Sequence, residues 1–247
     1  MRLPNVIDVI AAELDKLRTL PAAVVAALGT TVVGVALAVA LTAAAHGTAV
    51  PATEVSITAT MVRAVPFVQT GLILLGVLPV AHELAGSQLR TTLAAVPRRG
   101  LLLAGKTVAT FVATAVTAAA TVGGLLGAAT VTAYLGGAPV APGDVDAGPV
   151  LGAVAYLILV GLFSHAITLL VRGLVPALVG TLSLVLIVSP LLATLTEHAR
   201  WLPDRAAAQL YAPADDVLTG TTGTLVTLAW IAVVGAGAAV RFVRRDP

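Results

Sequence analysis

Residues 147–196 read AGPVLGAVAYLILVGLFSHAITLLVRGLVPALVGTLSLVLIVSPLLATLT, a stretch in which Arg172 is the only charged side chain. A helix crosses the hydrocarbon core of a bilayer with about 20 apolar residues. Arg172 therefore divides this stretch into two spans, charge-free from Ala147 to Val171 and from Gly173 to Thr196. Working outward, four further stretches carry no charge: Thr19 to Thr53, Ala64 to His82, Thr107 to Gly143 and Val217 to Val240. The helix cores are predicted near 21–45, 64–81, 104–134, 150–171, 174–194 and 221–241. The third is longer than one crossing requires, which predicts tilt or an interfacial extension. The expected fold is all-α, a single polytopic domain over 1–247 with six transmembrane helices.

The whole composition agrees. The 247 residues hold 14 Lys and Arg and 12 Asp and Glu, or 11% charged, where a soluble domain has roughly 25%. With 58% hydrophobic residues and a mean hydropathy of +1.02, the chain lacks the polar surface that a water-soluble or disordered protein needs. It has no cysteine, which excludes disulfides, thiolate metal sites and a cysteine nucleophile.

Orientation follows from where Lys and Arg collect, because positive loops stay cytoplasmic. With the N-terminus inside, the inner pieces hold eleven Lys or Arg against five acids, a net +6, and the outer pieces three against seven, a net −4. Both termini are expected in the cytoplasm. The first span reads as a retained helix, because its apolar run exceeds that of a signal peptide. Ahead of it, residues 5–20 gather Val6, Ile7, Val9, Ile10, Leu14, Leu17 and Leu20 on one helical face, with Asp8, Asp15, Arg18 and Thr19 opposite. That pattern predicts an amphipathic helix on the inner leaflet, in which Glu13 projects toward the apolar side against the preference of lipid.

Two motif matches fail on context. Gly100 to Thr107 fits the phosphate-loop pattern G-x-x-x-x-G-K-T, but a membrane span follows it and no strand precedes it; Lys106 is expected to anchor the span by snorkelling to lipid phosphate. His82-Glu83 opens like a zinc-protease helix, yet Gly86 stands where the second histidine belongs. No metal site and no catalytic residues are expected. Ser164-His165 inside the fourth span point about 100° apart and lack a carboxylate, so packing or a polar pathway with Gln69 and Thr70 is the expected role.

The loop at 82–100 has structure of its own: Leu89, Leu93 and Val96 recur at helical spacing, Gly86-Ser87 offer a start and Pro97 a stop. Glu83, Gly86-Ser87, Thr92-Leu93, Pro97-Arg98 and Gly105-Lys106 follow one another in this order. In that order the segment resembles the permeases of the ABC-2 type of ATP-binding-cassette exporters, and Arg90-Thr91-Thr92 with Arg98-Arg99 is similar to their actinobacterial branch. Glu13, Lys16 and Arg18 lie in a segment similar to the surface helix before span one in that family. The resemblance implies a permease subunit of the bacterial cytoplasmic membrane that is not itself an enzyme. ATP and Mg would be bound by a separate cytosolic ATPase, with no cofactor on this chain. It also implies a second permease copy or a paralogous permease as partner, membrane lipid around the bundle and no nucleic acid.

In that family the loop after span two is a coupling helix docked on the ATPase. The resemblance carries this role to Glu83, Gly86, Ser87, Arg90, Thr91, Thr92, Pro97, Arg98, Arg99 and Lys106, and suggests that Glu13 pairs with the loop arginines. Residues 195–220, with Trp201, Pro203, Tyr211 and Pro213, read as an outer loop or a re-entrant segment. The competing reading is an ATP-independent secondary transporter or channel, weakened because no acid falls within a predicted helix core.

Overall fold

In the computed structural model the described residues are 5–47, 56–85, 99–137 and 144–244. They are helical, with no strand among them. Helix α1 spans Val6–Thr19, α2 Pro21–Gly47, α3 Ile57–Ala85, α4 Arg99–Leu135 and α5 Ala147–Val171. A continuous helical run follows, made of α6 (Leu174–Ser183), a π-helical stretch (Leu184–Val188) and α7 (Ser189–Leu195). After a 3₁₀ turn at Glu197–Trp201 come α8 (Pro203–Ala208) and α9 (Gly220–Arg244). Six of these runs are long and apolar enough to cross a bilayer: Pro21–Ala45, Ile57–Glu83, Gly100–Leu135, Ala147–Val171, Leu174–Leu195 and Gly220–Arg241. This is the make-up of a multi-pass membrane protein.

The expected spans are all present, with two differences that have physical causes. The second starts at Ile57 rather than near 64, because Arg63 occupies an exposed position while Ile57, Met61, Ala64 and Val65 bury the opposite face. A charge on one face of a helix does not end it. The fifth is not regular: Ser189 N–H donates to Leu184 O, five residues back. This widened turn precedes Pro190, whose ring would clash with the carbonyl four residues earlier in an unbroken α-helix. The 37 residues of α4 extend about 55 Å at 1.5 Å per residue, so α4 outreaches a hydrocarbon core of about 30 Å.

The centre of the bundle is α3 against α5. Each buries 61% of its most apolar window, against 17% for α2, the Leu174–Leu195 run and α9. Leu72, Ile73, Val65 and Val68 of α3 pack in one core with Ala153, Leu157 and Val160 of α5. Lipid is as apolar as leucine, so such helices are held by close packing through small residues. At Gly76 a Cβ would lie 2.2 Å from the Gly161 carbonyl oxygen, so α3 meets α5 there only because position 76 is glycine, while a Cβ at Gly161 would meet Thr114 Cγ2 of α4 at 2.6 Å.

The bundle has two ends. One carries α1, the C-terminal turn of α3, the start of α4 and the ends of α5 and α9. The other carries the 3₁₀ turn and α8, which close over α5 and α9: Gly152 faces Leu210 O, 1.9 Å from where a Cβ would stand, and Gly223 faces Ala206 O at 2.1 Å. Residues 195–220 therefore form a packed cap with Ala199, Pro203, Asp204, Ala206, Ala207 and Tyr211 buried.

Candidate functional site

Helix α1 begins in a capping box. The Asn5 side chain accepts from Val6 N and Asp8 accepts from Asn5 N, which satisfies donors that a helix start leaves free. Leu20 is extended, and Pro21 opens α2 where its missing N–H costs nothing. Within α1, Val9 and Glu13 are the buried residues, with Lys16 a turn further on the same stripe. Val9 sits on Gly105, where a Cβ would approach Val9 Cγ1 to 2.8 Å. The glycine of the Gly105-Lys106 pair thus seats α1 directly on α4, with the lysine alongside.

That seating closes a ring of four charges. Lys106 Nζ donates to Glu13 Oε2 at 2.9 Å and to Glu83 Oε2. Lys16 Nζ donates to Glu13 Oε1 at 2.6 Å and to Glu83 Oε1 at 3.2 Å. Each lysine bridges both carboxylates, each carboxylate uses both oxygens, and the formal charges cancel. Three side chains are well covered, at 6% exposure for Lys106, 9% for Glu13 and 13% for Glu83, while Lys16 is 42% exposed. Burial works against the Lys16 ammonium, but the Glu13 hydrogen bond and the charges of Glu83 and Glu13 outweigh it and hold its pKa above the ordinary lysine value.

Sequence reasoning found these residues without the arrangement. Lys106 is not a lipid-facing anchor: it is buried between the carboxylates of Glu13 and Glu83. Glu13, the residue that spoiled the apolar face of α1, has lysine partners at positions 16 and 106. Gly86, Ser87, Arg90, Thr91, Thr92, Pro97 and Arg98 lie outside the described residues, and the backbone of Arg99 is the first helical position of α4. Residues 100–107 lie within α4, not in a phosphate-cradling loop.

Between the ring and the bundle interior lies a cavity of about 200 Å³, lined by the four ring residues, by Leu20 and Pro79, and at its far side by Thr110 and His165. His165 of α5 is buried; its Nδ1 is 3.2 Å from Thr110 Oγ1 and its Nε2 3.4 Å from Thr107 Oγ1. The other expected pathway residues do not converge on it. Ser164 donates to its own helix at Val160 O, 2.7 Å away. Gln69 donates to Pro66 O at 2.8 Å and accepts from Tyr156 OH. Tyr156 stands nine residues before His165, about 13 Å along α5. Thr70 is partly buried on α3.

The cap contains a second polar group that sequence reasoning missed. Ser189 Oγ donates to Asp204 Oδ1 at 2.8 Å, and burial raises the pKa of Asp204 although that hydrogen bond opposes the shift. Tyr156 and Tyr211 stack with ring centroids 4.9 Å apart. Nothing local marks Asp204, because its partner lies on the preceding span. Among the described residues no three His, Asp or Glu side chains gather as a metal site. No protein-family model matches the chain, and no curated protein matches it.

Proposed function

We propose that this chain is the permease subunit of an ABC-2 type exporter in a bacterial cytoplasmic membrane, with both termini cytoplasmic and α1 on the inner leaflet. A separate ATPase would grip the segment between α3 and α4. The observation that carries this reading is the charge ring. It joins the three parts that the family resemblance singles out: the N-terminal surface helix through Glu13 and Lys16, the residue that opens the loop, Glu83, and the Gly-Lys pair that follows it. Glu83 and Lys106 are the two stems of the 86–98 segment, so a force applied there reaches α1, α3 and α4 together through one buried set of ion pairs. The charge bias of +6 against −4 supports a cytoplasmic position for this end.

The test is reconstitution. Inverted membrane vesicles carrying the chain and its ATPase should move cargo only with ATP. Ser87→Cys should be modified from the cytoplasmic side and Val145→Cys from the other. Transport that runs without ATP and stops when the proton gradient is collapsed would instead favour a secondary transporter. The observation on that side is the cavity holding Glu13, Glu83, Lys106 and His165 together, titratable groups of the kind that proton-coupled carriers use.

A further inference from the structure

The charge ring accounts for Lys16 and Lys106 but leaves Arg18, two residues beyond Lys16, without an ion pair to any described residue. Arg18 is exposed, and although exposed Asp15 is within i,i+3 reach, the two do not pair. Beside Arg18 a furrow of about 260 Å³ runs between α1, α2 and α4. Ala23 and Ala27 of α2 and Ala113 of α4 make it deep because they are small, Leu75 of α3 forms its floor, and Leu14 and Leu17 of α1 overhang it. Its walls run from Ala23 to Leu28 and from Val112 to Thr117, about 8 Å along each helix.

We propose that this furrow binds one anionic phospholipid of the surrounding bilayer, an acyl chain lying against Ala23, Ala27 and Ala113 and the phosphate held by Arg18. The proposal does not depend on the transporter reading. A furrow with apolar walls at the depth of the spans takes hydrocarbon, since no water is there to fill it. The guanidinium, unpaired among the described residues, sits on α1, where a charged side chain meets headgroups, and its planar fork matches phosphate oxygens two at a time. A net negative lipid completes the charge that the described residues leave open. A zwitterionic lipid brings its own ammonium and does not.

The full chain, purified in detergent and mixed with equal amounts of phosphatidylglycerol and phosphatidylcholine of identical acyl chains, is read by native mass spectrometry. One phosphatidylglycerol per chain is expected to be retained in preference to phosphatidylcholine. Arg18→Gln should lower that retention about fivefold, the contribution of one cation at an anionic bilayer surface. Ala113→Phe should fill the furrow and remove both lipids, while Arg63→Gln, at the other end of the bundle, leaves retention unchanged. Equal retention of the two lipids by the unaltered chain, no effect of Arg18→Gln, or a dimer that carries no lipid would overturn the proposal. Arg18 is exposed, so its variant remains informative if Ala113→Phe fails to fold.

Discussion

At one end of the bundle two lysines and two glutamates from α1, α3 and α4 close on one another. At the other, α8 and the turn after it press onto α5 and α9 at glycines, with one buried aspartate held by one serine. The ring end is joined by side chains several bonds long, whose ion pairs can exchange partners while all four charges stay satisfied. The cap end is joined by backbone against backbone, with no slack to give. The two ends thus differ in what holds them, exchangeable charge at one and close backbone packing at the other.

The comparison breaks most sharply where one ring charge is removed. Lys106→Met should cost about 3–5 kcal/mol, the penalty for stranding a buried partner, read as a lowered thermal midpoint of the detergent-purified protein. Glu83→Gln alone should also be destabilising. Combined, the two should cost less than their sum, because the Glu13 and Lys16 charges that remain cancel each other. Strict additivity would mean that the four residues do not act as a ring.

At the cap the expected loss is of overpacking. Gly152→Ala puts a methyl group against the Leu210 carbonyl and should cost about 1–3 kcal/mol. It should change the protease sensitivity of residues 195–220 more than that of α1; the reverse pattern would contradict the division of the two ends.

Smaller effects are read through pH. The folded pKa of Asp204 is raised, so its contribution is fully present below the ordinary aspartate value of 3.8 and is lost as pH rises through the folded value. Asp204→Asn should flatten that part of the profile. The folded pKa of Lys16 is also raised. Its contribution holds below 10.5 and fades only as pH climbs through the higher folded value, so Lys16→Met should lower stability across neutral pH, by less than Lys106→Met because Lys16 is half-exposed, and should remove the alkaline loss.

The six spans were legible because lipid demands one simple property over about 20 residues, and the charges that interrupt it are few. The widened turn before Pro190 was not, since a proline can kink, end or be absorbed into a helix and only packing decides. Glu13 was legible as an anomaly: an acid on an apolar face requires a cation. Its partner at Lys106 lies 93 positions away, and the anchoring role expected of that lysine was the ordinary one for its place in the chain. The Ser189 and Asp204 pair left no local trace, because it forms only once the cap has folded back on the preceding span.

The most direct test is to isolate the full chain from its native membranes and ask whether ATP hydrolysis comes with it. The account predicts a bound cytosolic ATPase that is lost on Arg98→Ala, while the variant inserts and folds as before. A chain that purifies intact with no ATPase, or that keeps one regardless of changes across 86–98, would contradict it.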